Sequence, residues 1–180
     1  MVSGSDLAEL EPHLADRHDR ALFFPDEAHI NPRAALMHLR TRLHAAGARF
    51  EQSDAAPTGS VIDCRGLAAQ DSLPNLRGVK GEMVVLNSRD VTLSRPIRLL
   101  HPRFPLYIVP RGDGVFMLGA TQIESAERGR ASARSVMELL SAAYALHPAF
   151  GEAEVLEIGA DARPAFPDNL PRIIQKSDTI

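Results

Sequence analysis

Apolar residues recur at helical spacing in two stretches of this chain and at strand spacing in four. Leu36, Leu39, Leu43 and Ala46 are three or four positions apart, which aligns them on one side of a helix. Asn31-Pro32 supplies an N-cap and a first helical residue, and Gly47 supplies a C′ stop. The helix is expected to be a packing element, with Arg33, Arg40 and Arg42 toward solvent. The second helix has Val136, Leu139, Leu140, Ala143 and Leu146 on its apolar face. Its N-cap is Ser132 or Ser135, the latter at capping-box distance from Glu138, and Pro148 ends it.

The strand signals are Met83–Leu86, Leu106–Val109, Val115–Leu118 and residues 155–162. In the last, Leu156, Ile158, Ala160 and Ala162 fall on one face, with Glu157, Gly159, Asp161 and Arg163 on the other. Arg163-Pro164 is expected to end it. One mixed sheet should hold all four strands, with the second helix packed on a face. Shorter signals are a helical turn at residues 5–11, stopped by Pro12, and a buried strand at Val61–Cys64 running into Arg65-Gly66-Leu67. A strand followed at once by glycine can bring backbone close to a ligand, though an ordinary turn has the same signature. Residues 51–60 are polar and contain Pro57 and Gly59, so they read as a loop.

Charge changes the picture at the central hairpin. Arg111-Gly112-Asp113-Gly114 joins its two strands, and glycine there can take the positive φ of a tight turn. Arg95, Arg98, His101, Arg103 and Arg111 surround the first strand, and no acidic residue occurs from Val91 to Gly112. Such an excess can draw in a carboxylate or phosphate. Arginines that merely guard a sheet edge would look the same.

Composition narrows the rest. A chain of 180 residues, 44 % hydrophobic and 24 % charged, suits one globular domain or one plus a part of another. A net charge of −3, no Trp and two Tyr argue against a nucleic-acid surface. The single cysteine, Cys64, cannot form an internal disulfide, and no apolar run is long enough to span a bilayer. A cytoplasmic protein is expected, with Cys64 as a small core residue. His13 and His18, and His38 and His44, miss metal-binding spacing, so no metal site is expected. There is no Gly-x-Gly-x-x-Gly, since Met117 stands where a third glycine would follow Gly112 and Gly114. No phosphate-binding loop, Cys-x-x-Cys or Gly-x-Ser-x-Gly elbow occurs.

Longer runs do carry a resemblance: RGVKGEMVVL, RPIRLLHPRFPLYIVPR, GVFMLGATQIES and the stretch from SVMELLSAAY to ADARPAFPDNLPRI. Together they resemble the glycine oxidase family of thiamine biosynthesis, FAD-dependent flavoprotein oxidoreductases of the D-amino-acid oxidase superfamily. A looser likeness reaches back through FFPDEAHINPRAALMHL and VIDCRGL. The resemblance implies an α+β fold: a mixed, largely antiparallel substrate-domain sheet with packed helices, plus part of an FAD-binding α/β domain. It implies residues 1–30 as entry to the substrate domain and 31–77 as a partial FAD-binding region. Residues 78–158 would then be the substrate sheet, and 159–180 the return toward the FAD domain.

The implied reaction is oxidation of the amine of glycine or a similar small amino acid to an imine, by hydride transfer to flavin. Arg163 matches the family's arginine for the substrate carboxylate, a role suited to the guanidinium fork. Tyr107 matches a tyrosine of the same pocket, and the two should face one concavity. Without the resemblance, a salt bridge from Arg163 to Asp161 or Glu157 would be the simpler expectation. Gly66, Gly81 and Glu82 match positions near FAD. No residue is required as a catalytic acid or base, because the flavin carries the chemistry.

The family's glycine fingerprint would precede Ser5, and its Gly-His-x-Arg segment would follow Ile180. Neither is in this sequence. The resemblance therefore implies an internal piece of the enzyme, weak in FAD binding and not competent alone, that meets the missing FAD-domain segments as partners. Apolar surface around Val61–Cys64 and Leu67 is then expected to be exposed, which leaves a homo-oligomer open. A D-amino-acid dehydrogenase or sarcosine oxidase relative, or a non-catalytic binding module, are the alternatives.

Overall fold

A computed structural model describes residues 1–101 and 105–175, so Arg103 of the basic cluster lies outside the described residues. The chain opens with β1 (Val2–Ser3), α1 (Ser5–Leu10), α2 (Pro12–Ala15) and β2 (Arg20–Ala21), and β1 pairs with β2. Pro12 ends one helical turn and starts the next, where its missing N–H costs nothing. Next come α3 (Pro32–Ala45) and a 3-10 turn at Gly66–Asp71. The sheet strands are β3 (Arg77–Asn87), β4 (Ile97–Leu99), β5 (Leu106–Gly112), β6 (Val115–Gly119) and β7 (Ile123–Glu124). Then follow α4 (Ala133–Leu146), a 3-10 turn at Pro148–Glu152, and β8 (Glu154–Ala165).

The main sheet runs β4-β5-β6-β3, all antiparallel. One edge of β3 pairs with β8 along its whole length, and the other is shared by β6 and, near Lys80, β7. A lone parallel bridge joins Val79 to Ser125. The four strands expected to share one sheet do so, with α4 on one face, and the fold is α+β. The hairpin turns at Asp113-Gly114, where Asp113, Gly112 and Gly114 all have positive φ.

Alternation sorts the sheet into two faces. Val84, Leu86, Leu106, Ile108, Phe116 and Leu118 turn toward α4 and pack with Leu139, Ala143 and Leu146. Phe150 meets Phe116 edge to face at 5.3 Å. Ser132 is the N-cap of α4, accepting from the Ser135 amide at 3.2 Å, so Ser135 itself is inside the helix. The opposite face carries no helix layer among the described residues.

Several expectations change. Val61–Cys64 forms no strand: no ladder receives it, and Val61, Ile62 and Cys64 are exposed. Cys64 is thus a surface thiol rather than a core residue. Exposure there had been expected, and Leu67 is half-buried. β8 continues through Arg163-Pro164 to Ala165, because Pro164 lies on an edge strand, where a missing N–H is tolerated. A bulge near Leu86 moves Leu156 out of the alternation.

The helix α3 forms where its signals place it. Asn31 caps Ala34 at 3.2 Å, and beyond Gly47 the Ala48 amide bonds back to Leu43 at 2.9 Å. It buries none of its residues, and Leu36 is 67 % exposed. Helical pattern and caps are local properties, whereas packing needs a partner surface. Arg33 lies on the solvent side, as expected, with its side chain 75 % exposed, and from there grips Glu157 on β8 with two bonds of 2.6 and 2.8 Å.

Candidate functional site

Arg163 stands on the uncovered face of the sheet. It pairs across the ladder with Val79, so it shares a face with Gly81 and Met83 on β3. Its guanidinium lies across Gly81, where a Cβ would come within 3.1 Å of Nη2 and 3.3 Å of Cζ. A side chain at position 81 would therefore displace it. Nη2 donates to the Thr121 carbonyl at 3.0 Å.

The acidic neighbours expected to bind Arg163 are engaged elsewhere. Asp161 accepts two bonds from Arg128, at 2.6 and 3.1 Å. Glu157 is gripped by Arg33. These hydrogen bonds hold both carboxyls below their ordinary range, so both stay ionised and occupied. Arg163 has no carboxylate partner among the described residues, and its remaining donors are open to one.

An open cleft of about 1310 Å³ runs beside this point. Its lining includes Arg163 and Val79 from the sheet, Leu76 and Gln122 beside it, and Val61–Cys64 and Gly66. Gly66 has φ of 64°, which favours glycine, and a Cβ there would meet nothing within 4 Å. Arg65 fixes this turn by binding Asp63 and Asp71 together, with 2.9 Å contacts to each. Hydrogen bonding to Arg65 takes the Asp71 carboxyl down to about 2.

The other expected site residues separate. Tyr107 is on the same sheet face, but it lies over Gly119, its cross-strand partner, where a Cβ would meet its hydroxyl at 2.6 Å. Strands β6 and β3 stand between it and β8, and the cleft holds Arg163 and not Tyr107. Gly81 lies beneath Arg163, while Glu82, one position on, faces α4 and is 1 % exposed.

Glu82 is the anchor of a polar network. Its carboxylate accepts from the Ser132 amide at 2.8 Å and the Thr121 hydroxyl at 3.1 Å, with Lys80 Nζ 3.8 Å away. Burial pushes the carboxyl up. Hydrogen bonds from Ser135, Ser132 and Thr121, with the Lys80 charge, outweigh this and hold it below its ordinary value. Lys80 in turn bonds Glu127 and the Arg130 carbonyl. Thr121 and this network were not legible in the sequence, since GATQ carries no period. The basic cluster is partly structural: Arg95 pairs with buried Glu11 at 3.2 Å, and Arg111 donates to the Ile30 carbonyl at 2.6 Å. Arg98 sits opposite Tyr107 on β4.

The sheet is largely antiparallel, with one face under a helix and an arginine over glycine on the other, and comparison gives its class. The chain belongs to the FAD dependent oxidoreductase (DAO) family, whose profile matches residues 1–179. A Rhizobium etli protein provisionally named thiamine biosynthesis oxidoreductase ThiO is 55 % identical over 179 residues, covering 97 % of this chain and 54 % of that protein. The chain thus spans about half the length of this curated relative. The crystal structure of glycine oxidase from Geobacillus kaustophilus aligns with a TM-score of 0.53 at 27 % identity, over 62 % of this chain and 31 % of that one. Among the described residues no helix is long and apolar enough to cross a membrane, and no cluster of metal-ligating side chains forms.

Proposed function

We propose that this chain supplies the substrate-binding sheet of an enzyme that oxidises the amine of glycine or a similar small amino acid with FAD. One observation carries the reading: Arg163 lies on an uncovered sheet face with no carboxylate partner, while both acidic residues beside it are held by other arginines. A substrate carboxylate would take the free edge of its guanidinium in a paired, charge-assisted contact. That contact fixes the amino acid at one end and leaves the amine-bearing carbon to be oriented over the face. Tyr107 supports the face through its packing on Gly119 and is proposed to border the substrate from β5.

The cleft fits part of an FAD molecule. Its walls mix Val79, Leu76 and Val61 with exposed backbone at Gly66, and Gly66 leaves room where a side chain would stand. Gly66 and the backbone at Gly81–Glu82 are the proposed contacts, with the Glu82 carboxylate acting only to hold that backbone. The flavin, when bound, would accept the two electrons of amine oxidation. On this reading residues 31–77 belong to the FAD side, 78–158 to the substrate sheet, and 159–180 lead back toward FAD. β8 carries the chain through that change without a break.

A chimera tests the proposal, with residues 1–179 replacing the matching stretch of the Rhizobium etli relative. It should oxidise glycine when given FAD. Arg163→Ala should raise KM more than about tenfold, the scale of a lost shielded charge pair. Arg163→Lys should recover part of it, since an ammonium lacks the fork. Equal KM in all three proteins would remove Arg163 from the site.

A further inference from the structure

We infer that Thr121 is a positioning residue for Arg163, anchored by the buried carboxylate of Glu82. This rests on the reading of Arg163 as the carboxylate anchor. Thr121 lies in the gap between β6 and β7, where no regular ladder holds the backbone. Its amide donates to the Glu82 carbonyl at 3.3 Å, one half of an antiparallel pair. The other half would run from the Glu82 amide to the Thr121 carbonyl. Instead the Glu82 amide donates to the Thr121 hydroxyl at 2.9 Å. The hydroxyl in turn donates a hydrogen bond to the Glu82 carboxylate at 3.1 Å, so both its roles are used.

That substitution frees the Thr121 carbonyl, and the carbonyl holds Arg163 Nη2 at 3.0 Å. The guanidinium can reach it because Gly81, on the strand between, has no side chain. Glu82 is fixed from the other face by the Ser132 amide at the start of α4. A chain of defined contacts therefore runs from the helix, through Glu82 and Thr121, to the orientation of Arg163. Without the hydroxyl, the Glu82 amide would close on the Thr121 carbonyl and compete with Arg163 for it.

The test uses the full chain, with nitrogen relaxation of the Arg163 guanidinium as the primary readout and glycine titration as the second. Thr121→Val should lower the guanidinium order parameter from the rigid range toward less than about 0.6, the flexible range for a backbone amide. It should also weaken glycine binding roughly three- to tenfold, the worth of one hydrogen bond. Thr121→Ser should restore both. Gly81→Ala, which pushes the guanidinium off its seat by a separate route, should reproduce the loss and decides the matter if Thr121→Val does not fold. An unchanged order parameter in the folded Thr121→Val chain, or in Gly81→Ala, overturns the inference, even if thermal stability falls. If Arg163→Ala leaves glycine binding unchanged, or the parent chain binds none, the carboxylate reading fails instead, while the order parameter still decides the role of Thr121.

Discussion

The two faces of the main sheet are built from the same strands and obey opposite rules. Toward α4, the central strands are filled: Leu106, Ile108, Leu118 and Val84 are at most 1 % exposed, and even the buried Glu82 is bonded, while Ile158 on the edge strand β8 stays half exposed. On the other face the residues one step along are Tyr107, Gly119, Met83 and Gly81. Glycine leaves space there, and Arg163 and Tyr107 lie over the glycines. Alternation lets a strand carry neighbours that serve opposite faces, as with Gly81 and Glu82 or Ala162 and Arg163. A role assigned to one therefore says little about the other.

Substitutions on the two faces should separate stability from binding. The largest effect is expected at the packed face. Phe116→Ala should cost about 3–5 kcal/mol, read as a large fall in Tm, since it empties a site between Phe150 and α4. A loss under about 1 kcal/mol would mean that the helix face is loosely packed. Arg163→Ala should do the reverse, leaving Tm near its parent value while glycine affinity drops more than about tenfold.

The helix face also predicts an acid response. Glu82 is held below its ordinary value, so the folded state binds fewer protons there than the unfolded state does. Its contribution is complete above the ordinary glutamate range and is lost as pH falls through the lowered folded value. Denaturation midpoints followed from neutral pH into that range should fall less steeply for Glu82→Gln than for the parent. Equal slopes would deny Glu82 its anchoring role. The smallest effect is expected on α3, where Leu36→Ala should change stability by no more than about 0.5 kcal/mol, because the side chain touches little. A larger loss would show a contact for α3 beyond those described.

The sheet and both long helices were legible because their signals are local. Asn31 and Gly47 bound α3, runs of β-branched and aromatic residues mark β5 and β6, and alternation marks most of β8. Arg163 was reached through the resemblance of its Ala-Arg-Pro neighbourhood, not through spacing. Residues 61–64 misled, because an apolar run resembles a buried strand whether or not another strand receives it. The leucines of α3 misled likewise: periodicity identifies a face but not its partner. Thr121 was invisible, since its role depends on a hydroxyl replacing one carbonyl in a ladder that the sequence does not display. The freedom of Arg163 was equally hidden, because it depends on Arg33 and Arg128 arriving from distant parts of the chain to occupy Glu157 and Asp161.

The central claim is that the uncovered face recognises a carboxylate through Arg163. Calorimetric titration with glycine and with methylamine, which has the amine and lacks the carboxylate, tests it most directly. The parent chain should favour glycine by more than about tenfold, and Arg163→Ala should abolish that preference by weakening glycine alone. The same preference in both proteins, or none in the parent, would contradict the claim.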